Sequence, residues 1–253
     1  MKTDILKKIY RILYPYGSTR RVVFGPLFGT KYICKPSMGL SYAMGYEIKR
    51  MSFLKNYINT GDHVVDIGAN CGQISLYLSK LVGIEGEVSS FEPSEYAFNY
   101  FSHNLKLNNI SNVTTVYAAV SDSNDNLKMV LNFEPATGGI LDSIESDTKN
   151  DNSENEIVYI KSVRLDDYCY ENNIKPNFIK IDVEGAGDKV LKGATKIINE
   201  YKPYIYIEMH MPQEQNAVKE YLQKTGYKIE TLEGNPVLDP ELVWNNSLWC
   251  YWN

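Results

Sequence analysis

From residue 61 onward, short apolar runs of strand character alternate with longer segments whose apolar positions recur at helical spacing. "HVVDIG" (63–68), "GEVSSFEP" (86–93) and "VTTVYAAV" (113–120) read as strands, the last a single third strand. "CGQISLYLSKL" (71–81) and "SEYAFNYFSHNLKLN" (94–108) read as the helices between them. The pattern resumes with "NFIKIDV" (177–183), one helix over "GDKVLKGATKIINEY" (187–201), "KPYIYIEMH" (202–210) and a helix around "EQNAVKEYLQKTG" (214–226). "YKIETLEG" and "SLWCYWN" then read as a terminal hairpin. Strands alternating with helices predict βαβ units and a mostly parallel sheet of about seven strands, with right-handed crossovers placing helices on both faces.

Two regions depart from this rhythm. Between "DNLKMVLNF" (125–133) and "EIVYIKSVRL" (156–165), both strand-like, lies a polar segment with six acidic residues and one lysine from Asp142 to Glu156. Its composition predicts a surface loop, serving either as a lid or as a plain insertion. Residues 1–60 predict a first helix, a small hairpin over "RRVVFGPLFGTKYICKP" and a covering helix over "YAMGYEIKRMSFLKNYIN". In the first helix Ile5, Leu6, Ile9, Ile12 and Leu13 recur at helical spacing, with Lys7, Lys8 and Arg11 between them. That pattern suits packing on the domain or on a second subunit of a homo-oligomer, and it also suits an anionic membrane surface. We therefore divide the chain into a packed N-terminal cover, 1–60, and a single functional unit, 61–253.

Composition narrows the class. With 43% hydrophobic and 23% charged residues the chain reads as globular, and 253 residues suffice for a sizeable core. A net charge of −5 and a pI near 5.4 argue against nucleic acid as a partner. Cys34, Cys71, Cys169 and Cys250 are scattered, which predicts reduced thiols in a cytoplasmic protein rather than a disulfide framework or zinc site. No apolar run reaches the ~20 residues of a membrane span.

The chemistry begins where the first strand meets its helix, at Asp66-Ile67-Gly68-Ala69-Asn70-Cys71-Gly72. Glycines there allow a tight turn and close approach of backbone to a ligand. A dinucleotide fingerprint would need glycine at 70 and 73, where this chain has Asn70 and Gln73, so the loop does not suit pyrophosphate. Asp66 suits a ligand carrying positive charge, or a cap for loop N–H groups. Glu92, twenty residues past Gly72, can accept from a ribose diol or stand as a solvated strand end. Taken together they favour a nucleoside with a cationic group and no phosphate, which S-adenosylmethionine satisfies.

"DIGANCG" with "FEP" is similar to the cofactor half of the Rossmann-like class I methyltransferases. The likeness extends to the FkbM-type family through "GYE" (45–47), "VVDIGANCGQ", "FEPS", "AAVSD" (118–122), "SVRLDDY" (162–168), "FIKIDVEGAGDKVLKGA" and "IEMH". The chain departs from that pattern at Gly187-Asp188, where an acidic residue more often follows "EGA" directly. The resemblance implies a SAM-dependent O-methyltransferase acting on a hydroxyl of a sugar or glycan precursor, or of a polyketide-like metabolite. It places Asp66, Gly68, Ala69, Asn70, Gly72 and Glu92 at the cofactor, with Ala119 and Val120 against the adenine at the end of the third strand.

A hydroxyl acceptor must lose its proton, to a general base or through a metal that acidifies it. On "FIKIDVE" the residues Lys180, Asp182 and Glu184 share a face if the strand continues, and Glu208 and His210 share one on "YIYIEMH". In the class I strand order these two strands are neighbours. His210 is the candidate base, with Asp182, Glu208 and Glu184 beside it; Glu184 also suits a helix N-terminus. Asp182, Glu208 and His210 alternatively suit Mg²⁺ or Mn²⁺. "TGGI" (137–140) is the candidate acceptor wall.

Overall fold

The computed structural model describes residues 15, 17–33, 48–132, 138–140, 155–237 and 247–252. The basic N-terminal helix, the "GYE" motif, Thr137 and all but two residues of the 142–156 loop lie outside these.

The main sheet grows from runs that are apolar on both faces. β3 (His63–Ile67), β4 (Glu87–Phe91), β5 (Val113–Val116), β10 (Phe178–Asp182) and β11 (Tyr204–Glu208) pair in parallel. Val64, Val65, Phe91, Phe178, Ile179, Ile181, Ile205 and Ile207 are essentially inaccessible, as expected of parallel strands covered by helices on both sides. Each such side chain contributes about 1.5–3 kcal/mol on burial. β12 (Lys228–Thr231) and β13 (Ser247–Tyr251) complete the seven-stranded order β12-β13-β11-β10-β3-β4-β5, with β13 antiparallel to both its neighbours.

The expected third strand divides in two. β5 ends at Val116, and β6 (Ala119–Val120) pairs in parallel with β9 (Asn155–Val163). A turn from the Ala118 N–H to the Val116 carbonyl lifts the chain out of the main sheet. β6 and β9 join β7 (Asn126–Asn132) and β8 (Gly138–Ile140) in a second, four-stranded sheet. Ala119 and Val120 are therefore buried in that sheet and do not end the third strand. β7 and β9 arise from the two strand-like runs that flank the polar segment.

One helix expected over 187–201 is two, α5 (Gly187–Gly193) and α6 (Thr195–Tyr201), broken at Ala194. The buried carboxylate of Asp166 accepts from the Lys196 and Ile197 N–H groups and so starts α6 independently. Asp166 lies in α4 (Leu165–Glu171). At Gly193 a Cβ would fall 2.0 Å from the Ser121 carbonyl oxygen, so only glycine fits where this helix meets the turn after β6. The other helices among the described residues are α1 (Ile48–Leu54), α2 (Gln73–Val82), α3 (Glu95–Leu107) and α7 (Pro212–Lys224).

In the N-terminal cover, β1 (Thr19–Arg21) and β2 (Lys31–Ile33) form a hairpin. It is tied to α3 by hydrogen bonds from the Lys31 N–H to Asn108 and from the Ile33 N–H to Asn104. α1 buries Met51 and Leu54, and Phe53 sets its ring edge on Trp249 of β13 at 5.2 Å. Among the described residues no helix is long and apolar enough to cross a membrane.

Candidate active site

The site follows from sheet register. Parallel pairing sets Lys180 opposite Asp66 and Asp182 opposite Glu208, on strands about 4.8 Å apart. Lys180 and Asp182 alternate onto one face of β10. The Lys180 ammonium, 2% exposed, thus lies 3.1 Å from Asp66 and 3.5 Å from Asp182, and donates to the Gly68 carbonyl at 2.9 Å. Burial opposes its charge, but Asp66, Asp182 and Glu208 outweigh burial and hold it above the ordinary lysine range.

The loop after β3 is built on positive φ. Gly68 (+77°), Asn70 (+50°) and Gly72 (+81°) all occupy the left-handed region. A Cβ on Gly68 would fall 1.9 Å from the Asp182 carbonyl oxygen, and one on Gly72 2.0 Å from the Phe101 ring. The loop therefore packs directly on the end of β10. Asp66 is fully buried and accepts from Ser75 at 2.6 Å, with the Lys180 ammonium 3.1 Å away on its other oxygen. Glu92 is oriented at the loop's rim, accepting from the Asn70 N–H at 2.7 Å and the Ser94 N–H at 2.8 Å.

The reacting half gathers where β10 and β11 end. His210 Nε2–H donates to Asp182 at 2.8 Å, and its other ring nitrogen lies 3.7 Å from Glu184. The Asp182 hydrogen bond, with Glu184 beside it, pushes His210 up to about 9 against the effect of burial. Burial acts to raise Asp182, but Lys180 and His210 overcome it and hold the group well below the usual carboxylate range. Burial and then Asp182 push Glu208 the other way, against the pull of Arg50 and Lys180. Burial also raises Glu184.

A family model for the FkbM methyltransferase domain matches residues 66–229, from the first loop carboxylate to β12. The chain belongs to this family. The FkbM methyltransferase structure from Methylobacillus flagellatus KT has a TM-score of 0.52 and 21% identity, over 75% of this chain and 43% of that one. This chain thus spans less than half the length of that relative. A SAM-dependent O-methyltransferase structure from Thermotoga maritima has a TM-score of 0.50 and 14% identity, over 94% of this chain and 78% of that one. Both likenesses show a Rossmann-like fold of the kind SAM methyltransferases use. No curated protein matches the sequence.

In this FkbM-family chain the structure brings Asp182, Glu184, Glu208 and His210 together, and Gly68, Ala69, Asn70, Gly72 and Glu92 around one turn. Glu184 faces His210 and does not cap α5, whose N-cap is Ala186 without a side-chain hydrogen bond. Two participants were not anticipated. Arg50 of α1 donates to Glu208 at 2.6 Å, although nothing in the spacing of "EIKRM" separates it from Lys49. Buried Glu214 accepts from the Gly187, His210 and Met211 N–H groups, fixing the backbone that carries the imidazole. Met-Pro followed by glutamate is a helix-start signature that could have marked it.

The residues also fit a divalent cation. Among the described residues one group, Asp182, Glu208 and His210, offers ligand atoms all within 4.8 Å of one another. Glu208 Oε1 is buried with no hydrogen-bond partner, an oxygen left available to a ligand. One imidazole and two carboxylates suit Mg²⁺ or Mn²⁺.

Proposed function

We propose that this chain transfers a methyl group from S-adenosylmethionine to a hydroxyl oxygen, on a sugar or glycan precursor. The observation that carries this reading is the Asp182–His210 pair at the carboxyl ends of two adjacent parallel strands, directly beside the Gly68 turn. The turn would take the cofactor's amino-acid and ribose parts, with Glu92 accepting from the diol and no glycines arranged for pyrophosphate. The cofactor supplies its methyl as a sulfonium, already an activated electrophile.

What the protein adds is alignment and removal of the acceptor proton. A free imidazole base has to be unprotonated, and His210 keeps its proton at neutral pH. A metal-ligating imidazole must shed the same proton, so in the alternative arrangement Asp182, Glu208 and His210 would hold Mg²⁺ or Mn²⁺ with the ring deprotonated. Such an ion would lower the pKa of a neighbouring hydroxyl. Arg50 and Lys180 orient the two carboxylates in either arrangement.

Two measurements test the reading. Calorimetric titration is expected to show S-adenosylmethionine binding and no NAD binding; the reverse would sink it. With labelled cofactor and host glycan extracts, Asp182→Ala and His210→Ala are each expected to lower turnover by about 10²–10⁴-fold. Chelator treatment should abolish turnover and added Mg²⁺ or Mn²⁺ restore it. Full activity under chelator would return the proton-accepting role to the Asp182–His210 pair alone.

A further inference from the structure

The first 33 residues carry seven basic residues and one acidic residue, a local charge of +6 on a chain whose net charge is −5. So strong an asymmetry indicates a partner for that end of the chain with negative charge. The part of this segment that the structure describes is the β1–β2 hairpin, and its tip is apolar. Val22 and Leu27 are buried and anchor it, whereas Val23 (45%), Phe24 (64%) and Phe28 (70%) stand exposed. Exposed apolar residues scattered singly need no explanation, but two phenylalanines and a valine on one turn do.

Cationic groups flank that tip. Arg21 and Lys31 lie directly opposite each other in the hairpin register, a like-charge pairing that weakens a two-stranded ribbon. Exposed Lys80 of α2 donates to Thr30 at 2.7 Å, adding a third cation at the base of the turn. A protein partner of matching shape would satisfy an apolar tip, but an apolar tip within a basic collar is also the composition of elements that sit in a lipid interface. Anionic headgroups would offset the Arg21–Lys31 repulsion while the rings enter the acyl boundary.

The hairpin is also placed next to the chemistry. A Cβ on Gly25 would lie 3.1 Å from Ile48, the first residue of α1, and two residues along that helix Arg50 reaches Glu208. We propose that the β1–β2 hairpin docks on an anionic lipid surface through Phe24 and Phe28, with Arg21, Lys31 and Lys80 meeting lipid phosphates. A site so mounted opens beside the membrane, which selects lipid-linked acceptors over freely dissolved ones. That consequence rests on the methyl-transfer reading; the docking does not, because it is measured without turnover.

The test uses the whole chain and vesicles of phosphatidylcholine, either pure or with about one third phosphatidylglycerol. Binding is expected only to the anionic vesicles and is expected to weaken as salt is raised. Phe24→Ser with Phe28→Ser should lower the bound fraction at least about tenfold, at an unchanged unfolding midpoint. Arg21→Gln, Lys31→Gln and Lys80→Gln together should remove the preference for anionic lipid. A Phe28→Trp variant should be quenched by brominated lipid, which reports insertion even if the double variant folds poorly. Three results would overturn the proposal. One is wild type unbound to the anionic vesicles; another is the double serine variant binding as wild type does, which would make residues 1–14 responsible. The third is a salt-sensitive dimer, seen by light scattering and lost in the serine variant, with vesicles unbound; a second copy would then be the occupant.

Discussion

Lys180 is the residue on which the two halves of the site meet. Its ammonium touches Asp66 under the cofactor loop and Asp182 in the reacting half, and at buried Asp66 no solvent replaces the contact. Lys180→Met leaves Asp66 buried without its counter-charge, and removing one partner of a buried pair costs about 3–5 kcal/mol. Denaturant unfolding is expected to show a loss of that size, and a change under 1 kcal/mol would mean that Asp66 has another source of neutralisation. His210 makes a prediction about pH. Its folded pKa, about 9, lies above the ordinary 6.5, so folding favours the protonated ring. The stability this supplies is complete below pH 6.5 and disappears as pH rises through about 9. In metal-free protein, the drop in stability between those limits should be smaller in His210→Gln than in wild type. Equal drops would place the titration elsewhere.

The elements show where a linear reading works and where it stops. Strands buried on both faces are legible because each apolar run is only about five residues long between turn signals, too short for a helix, and β3, β10 and β11 fall where the runs do. The loop carboxylates, the glycines and the Asp182–His210 pair were legible too, since alternation along two strands fixes which side chains share a face. The break at Ala194 was not, because Asp166, thirty residues upstream, supplies the cap for α6. Nor was the end of the third strand, because Ala119 and Val120 suit a strand in either sheet and only pairing with β9 decides. Arg50 escaped for the same reason: its partner lies 158 residues away. Asp166→Ala is expected to cost about 1–2 kcal/mol by leaving the first N–H groups of α6 unsatisfied. Hydrogen exchange should then rise at Lys196 and Ile197 before it rises in β10; uniform exchange across both would argue against a local cap.

At the scale of the molecule, the sheet depends on its last strand. β13 lies between β11 and β12, and buries Leu248, Trp249 and Cys250. Trp249 stacks on Tyr204 and packs against Phe53 and Tyr57, so the strand also seats α1 and, through it, Arg50. Ending the chain at Asn246 is expected to abolish cooperative unfolding and cofactor binding together. A truncated protein that still unfolds cooperatively and binds S-adenosylmethionine would show that β11 tolerates an open edge.

That placement has a consequence for how the protein is made. A ribosome delivers β11 and β12 before the strand that separates them, so the sheet cannot close in chain order. Until β13 has emerged, the growing chain presents an unpaired, apolar edge on β11 to whatever lies nearby. A pause in translation between β12 and β13 would therefore leave a sticky intermediate, and chaperone demand should peak in that interval.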